Sequence, residues 1–215
     1  HLSMRSDKFG DVKPHVSSNG KADNSNITLT GRGNDVAVTG SFAPVGNDVD
    51  LDLNLNVRAL QLHTLEGAMA SAITNASGSI SGNVKIAGTS SKPAISGDLG
   101  FNNASFNLTA LGTQFKVDNE KISVTNDGLT FNNFSIRDST NNALTIDGNI
   151  LTNNFINYNF NLRVNANNFL VLNSTKSQNS LYYGKLNIST NLHVAGTELK
   201  PVVDGSLTVN DGTNL

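Results

Sequence analysis

Apolar side chains occupy every second position from Val49 through Leu51, Leu53 and Leu55 to Val57, with Asp or Asn at most of the places between them. A period of two is the mark of a strand with one dry face. It recurs at Ile27/Leu29, Val36/Val38, Ile80 to Ile86, Ile95 to Phe101, Ile122/Val124, Leu144/Ile146, Phe160/Leu162/Val164 and Leu186 to Val194. Turn formers punctuate the runs at Gly31/Gly33, Gly46-Asn47-Asp48, Gly88, Asp118-Asn119, Asn126-Asp127-Gly128, Asn141-Asn142 and Asp211-Gly212. Short strands joined by tight turns predict an antiparallel meander. One stretch departs from the pattern: over residues 63–76 the composition turns to Ala, Met and Leu, with Leu65, Met69 and Ile73 four apart. This spacing predicts a short helix, Thr64 at its N-cap, packed across one end of the sheet.

Residues 87–99 and 195–207 repeat each other. Ala, Gly, Thr, Lys, Pro, Gly and Leu recur in the same order: Ala87-Gly-Thr-Ser-Ser-Lys-Pro-Ala-Ile-Ser-Gly-Asp-Leu99 against Ala195-Gly-Thr-Glu-Leu-Lys-Pro-Val-Val-Asp-Gly-Ser-Leu207. Each copy reads as strand, turn, strand. Gly88 and Gly196 supply an unusual φ, while Pro93 and Pro201 fix φ and give up a ladder donor at the start of the outgoing strand. A repeated unit of this kind suggests growth by stacking.

An apolar strand face must be buried against a second layer or a ligand. The inward positions are mostly Val, Leu and Ile, with scattered Phe and no Trp. Such residues pack to full density in an ordinary sandwich, and they also line a curled single sheet that leaves a groove of acyl-chain width. In the groove reading the lining is Leu51, Leu53, Leu55, Val84, Ile86, Ile95, Leu99 and Phe101 in the first half of the chain. Phe131, Ile146, Leu162, Val164, Ile188, Val194 and Leu207 line it in the second half.

Composition narrows the function. The 215 residues leave room for one large β domain, expected over residues 25–215, behind a polar leader at 1–24 whose first four residues read as a vector remnant. With 15 Lys+Arg against 17 Asp+Glu there is no basic excess for a nucleic acid to meet. The absence of Cys removes disulfides and thiolate metal sites. At 37% apolar and a net charge of −2 the chain lies away from the disordered class.

No stretch of the sequence is apolar for long enough to span a bilayer as a helix. Catalytic constellations are likewise missing. His15, His63 and His193 are scattered, and the acids Asp48, Asp50 and Asp52 alternate with apolar residues as the wet face of a strand does. Gly78-Ser-Ile-Ser-Gly82 carries Ile80 where a nucleophile elbow needs Ser. The sequence therefore predicts a protein that is not an enzyme and needs no cofactor.

The run Gly78-x-Ile-x-Gly-x-Val-x-Ile-x-Gly-Thr-x-x-x-Pro-x-Ile-x-Gly-x-Leu99, preceded by the Ala/Leu-rich segment, resembles the signature of AsmA-like and TamB-like proteins. Leu111-Gly-Thr, the strand from Gly128 to Asp138, Phe169 to Thr175, and the stretch from Leu181-Tyr-Tyr-Gly-Lys185 to Asn214 extend the resemblance over most of residues 60–215. It implies an all-β fold: an elongated, curled antiparallel sheet, a β-taco or open gutter, with an apolar interior and one short helix. It also implies a segment near the C-terminal region of a periplasmic protein, anchored in the inner membrane of a Gram-negative bacterium. The implied partners are phospholipid, conducted between the two membranes, and a TamA-like outer-membrane barrel protein that assembles other outer-membrane proteins. Two alternatives stand beside lipid conduction: an interaction module whose strand edges recruit outer-membrane strands, and a filled β-sandwich structural domain.

Overall fold

The computed structural model describes residues 10–18, 20, 22–66, 69, 72–152, 157–179 and 181–215. Its elements are β1 (Asp11–Ser18), β2 (Asp23–Gly31), β3 (Asn34–Val45), β4 (Asp48–Gln61), α1 (Leu62–Leu65), β5 (Ile73–Thr89), β6 (Lys92–Leu108) and β7 (Thr113–Val117). They continue with β8 (Lys121–Thr125), β9 (Gly128–Arg137), β10 (Ala143–Thr152), β11 (Tyr158–Ser174), β12 (Gly184–Thr197) and β13 (Lys200–Val209). All 13 strands form a single antiparallel sheet in chain order, except that β7 and β8 share one place beside β6 and both pair with β9. The predicted all-β meander is present. One rim carries the tight turns, including β3–β4, β5–β6 and β12–β13; the other carries α1 and the β9–β10 and β11–β12 connections.

The repeated segments form matching hairpins on the turn rim. Thr89 pairs Lys92 and Gly88 pairs Pro93, as Thr197 pairs Lys200 and Gly196 pairs Pro201. Gly88 and Gly196 have φ of 82° and 90°, a region closed to most L-residues. On the same rim the Asp48 carboxylate accepts hydrogen bonds from the Ser90 and Ser91 hydroxyls and, at 2.9 Å, from the Val49 N–H. These bonds tie the β3–β4 turn to the first hairpin and hold the carboxyl well below the usual carboxylate range.

Two expectations need correction. The sheet begins before residue 25: β1 and the start of β2 fall inside the supposed leader, where Val12 pairs Leu29 and Pro14 pairs Ile27. Residues 1–4, read as a vector remnant, lie outside the described residues. Of the helix expected over 63–76, residues 67, 68, 70 and 71 lie outside the described residues, and among the described ones only the single turn Leu62–Leu65 is helical. Ile73 and Ala76 belong to β5 and are buried there: Ile73 pairs with Leu108 of β6, and the Ala76 N–H, at a break in the ladder, donates to the Glu66 carboxylate at 2.5 Å. Thr64 is no N-cap; it lies inside the turn, 1% exposed, where its hydroxyl accepts a bond of 3.0 Å from Asn34 Nδ2.

The strands are also longer than the alternating runs, reaching 17 residues in β5, β6 and β11. The cause is a recurrent break in period: Ile73-Thr-Asn75-Ala76, Phe101-Asn-Asn103-Ala104, Phe131-Asn-Asn133-Phe134 and Ala166-Asn-Asn168-Phe169. In each, the Asn before the second apolar residue has a positive φ, 53°, 45°, 51° and 50° in turn. The ladder shifts register at these places. A β-bulge adds one residue, so a three-residue apolar spacing keeps both apolar side chains on the same face. Asn is the L-residue that tolerates this left-handed conformation best. Replacing Asn103 by Val is expected to cost about 1–2 kcal/mol in chemical denaturation, while Asn103→Gly stays close to the parent.

The residues that follow the bulges, Ala76, Ala104, Phe134 and Phe169, are buried and build the core on the helix rim. Leu62, Ile73, Ala76, Ala104, Val117 and Phe134 form one cluster, with Phe134 edge-on to Phe101 and Phe131 at centroid separations of 5.5 and 5.6 Å. Beside it β7 reaches over to β11: Phe115 stacks on Phe169 at 5.6 Å, and the Thr113 hydroxyl donates to Val171 O at 3.0 Å. The β9–β10 turn is tied to both strands: Arg137 before it pairs Lys116 of β7, and Asp138, 1% exposed, accepts from the Leu170 N–H of β11. The helix rim is thus closed locally, over the middle of the sheet.

Candidate functional site

Residues paired across an antiparallel ladder share a face, so the register traces continuous rows. One runs Val12, Leu29, Val36, Val57, Gly82, Leu99, and then on through Ile122, Phe131, Gly148, Leu162, Val194, Val203. The next row towards the turn rim runs Pro14, Ile27, Val38, Leu55, Val84, Gly97, and continues Val124, Leu129, Ile150, Phe160, Gly196, Pro201. Neither row contains a polar side chain. At the usual strand spacing of about 4.8 Å, each extends roughly 50 Å across the sheet, and the two lie about 7 Å apart.

Every predicted lining residue falls on this face. Leu55, Val84, Leu99, Phe131, Leu162 and Val194 belong to the two rows. Leu53, Ile86 and Ile95 pair in a third row on the turn side, where Leu51 pairs Gly88. Ile146 and Val164 pair towards the helix rim, as do Ile80 and Phe101 and, farther out, Ile188 and Phe169. Leu207 pairs Thr190 on the edge strand β13 and is 57% exposed, so it stands at the end of the face rather than within it. Val12, Leu29, Val36, Val57, Ile122 and Val203 also stand in the first row and lay outside the predicted lining, although the same alternation marks most of them. The glycines of the rows carry no side chain for periodicity to detect.

Burial distinguishes an open face from a filled one. In a two-layer core the inward residues are almost wholly covered. Here Val57 and Val84 are buried, but Leu51, Leu53, Leu55, Ile86, Ile95, Leu99, Leu162, Val164 and Val194 are only half-buried. Among the described residues no second sheet lies opposite. The opposite face is polar. Asp52 pairs with Lys85 at 3.1 Å, Asp98 accepts from the Ser123 hydroxyl at 2.6 Å, and His193 Nε2 meets Asn161 Oδ1 at 3.0 Å. A hollow of about 390 Å³ on that side is lined by Ser81, Asn83, Asp98, Asn102 and Lys121 among others, and has the wrong chemistry for a hydrocarbon. What the arrangement offers is a continuous apolar trough, closed along part of the helix rim and partly open above the two rows.

Residues 22–130 and 132–215 match the family model of the TamB C-terminal domain. The chain belongs to the TamB family. No curated protein and no solved structure matches it. The TamB match takes in both repeated hairpins and every residue predicted to line the trough except Phe131, which falls between its two segments. Among the described residues of this TamB domain no helix is long and apolar enough to cross a membrane.

Proposed function

We propose that this TamB domain holds or conducts phospholipid by seating acyl chains along the apolar rows, with headgroups in water at the open side. The observation that carries the reading is the pair of unbroken apolar rows across the sheet, most of whose residues are only half-buried. Their length of roughly 50 Å exceeds the ~15 Å depth of one acyl layer about threefold. Each CH₂ taken from water gains about 0.8 kcal/mol without directional preference, so similar rungs let a chain slide without a deep trap. No covalent step is required, and the role is non-catalytic and cofactor-free. Family membership supports a place in the periplasm as part of an envelope protein anchored in the inner membrane. It also supports association with outer-membrane assembly machinery through a TamA-like barrel partner.

A photoreactive residue at Leu53 or Ile86 is expected to crosslink phospholipid in cells, and one at Asn54 or Lys85 on the opposite face is not. Equal lipid labelling from both faces, or none from the trough, would refute the proposal. Leu99→Lys, a cation at the centre of one row, is expected to abolish labelling from Leu53 while leaving the fold intact by circular dichroism.

A second reading has its own observation. Strands β1 and β13 are exposed along their whole length and, among the described residues, each pairs on one side only, so either edge can accept a strand from an outer-membrane protein. That reading predicts crosslinks to polypeptide from β13.

A further inference from the structure

On the helix rim, next to the edge strand β13, the β11–β12 connection carries an exposed apolar and aromatic tip. Leu181 is 89% exposed, and Tyr182 and Tyr183 are 48% and 39% exposed. The Lys176 ammonium stands 5.8 Å from the centre of the Tyr183 ring, and Lys185 is exposed at the start of β12. Charge across this part of the chain is one-sided: no Asp or Glu occurs between Asp147 and Glu198, whereas Arg163, Lys176 and Lys185 do. Asp211 stands in the turn after β13.

The opposite rim offers a contrast. Leu199 at the β12–β13 turn is 84% exposed but is flanked by Glu198, whose carboxylate accepts from the Tyr158 N–H at 2.8 Å. Among the described residues only the β11–β12 tip combines an exposed Leu, adjacent Tyr and flanking Lys. Tyrosine rings favour the boundary between headgroups and acyl chains, and lysines beside them meet anionic headgroups.

We infer that the tip formed by Leu181, Tyr182 and Tyr183, flanked by Lys176 and Lys185, docks on the surface of an anionic phospholipid bilayer. This bilayer contact is separate from the trough and does not depend on what the trough carries. It would fix one rim of the domain against a membrane, with Leu181 inserted below the headgroups and the lysines at phosphate level.

The chain has no Trp, so Leu181→Trp provides a unique emission signal. Equimolar phosphatidylcholine–phosphatidylglycerol vesicles are expected to shift that emission to the blue and shield it from acrylamide, and pure phosphatidylcholine much less. Adding Lys176→Glu and Lys185→Glu should weaken binding by roughly tenfold or more, since each basic residue near an anionic surface contributes about a five-fold gain. Adding Leu53→Arg, which disables the trough, should leave the shift unchanged. The inference is overturned if folded Leu181→Trp protein shows no shift with anionic vesicles, or if the double charge reversal binds equally well. It is also overturned if Leu53→Arg removes the signal, which would assign it to the trough, or if the shift arises only with a partner protein.

Discussion

Gly82→Val is expected to unfold the domain or to lower its stability by about 4 kcal/mol, the sum of a strained backbone and an overpacked contact. Gly82 has φ of 150°, and a Cβ built on it would lie 2.0 Å from the Asp98 carbonyl oxygen of the neighbouring strand. That oxygen belongs to backbone in the middle of a ladder, so it cannot swing aside as a side-chain tip would. β5 and β6 would have to separate where one of the apolar rows passes from Val57 through Gly82 to Leu99. Since whole domains are stable by only about 5–15 kcal/mol, the loss is large. Urea denaturation followed by circular dichroism checks it, with Asn83→Thr, an exposed neighbour, as the control expected within about 0.5 kcal/mol of the parent. A parent-like midpoint for Gly82→Val would show that the sheet does not need the close approach at this point.

Asp138→Ala is expected to cost about 3–5 kcal/mol, because it leaves several donors without an acceptor in a closed part of the fold. One carboxylate oxygen accepts from the Thr140 N–H and hydroxyl, both at 2.8 Å, and from the Asn142 N–H at 3.0 Å. The other accepts from the Leu170 N–H at 2.7 Å, joining the β9–β10 turn to β11. Burial pushes this carboxyl up, but the Leu170 N–H and the Thr140 and Asn142 donors together outweigh it, and the folded state holds the group below its ordinary value. The sign of the pH dependence follows. A depressed folded value gives stability that is complete above the unfolded pKa of about 4 and is lost as pH falls through the folded value. Denaturation midpoints of the parent should therefore decline on acidification below about pH 4 more steeply than those of Asp138→Asn, which removes this titration. Identical acid profiles would show that the turn is held by other contacts.

The two substitutions probe features of different legibility. Gly82 stands inside the Gly-x-Ile-x-Gly-x-Val run, so a special backbone at that residue was open to inference from sequence. Asp138 was not, because nothing in Arg137-Asp-Ser-Thr140 announces that β7 and β11, far apart in the chain, will close over it. The Asn bulges lie between these cases. Phe131-Asn-Asn-Phe134 and its three counterparts were visible, but a period-of-two template reads a three-residue spacing as the end of a strand. The bulge becomes evident only when a partner strand shows which side chains still share a face. The helix was overestimated for a related reason. Leu65, Met69 and Ile73 have helical spacing, yet ladder pairing with Leu108 places Ile73 in a strand.

Alternation by itself determined that the chain is all-β, antiparallel and apolar on one face, because side chains on a pleated strand must point to opposite sides in turn. The same local chemistry determined the paired hairpins, since Gly and Pro restrict the backbone wherever they occur. Whether that face meets a second layer or remains a trough lay beyond local pattern, since Val, Leu and Ile serve both. The tertiary structure decided it through ladder register, which aligned residues from twelve strand places into rows and left most of them half-covered. Register depends on pairings between segments distant in sequence, and no single strand carries that information.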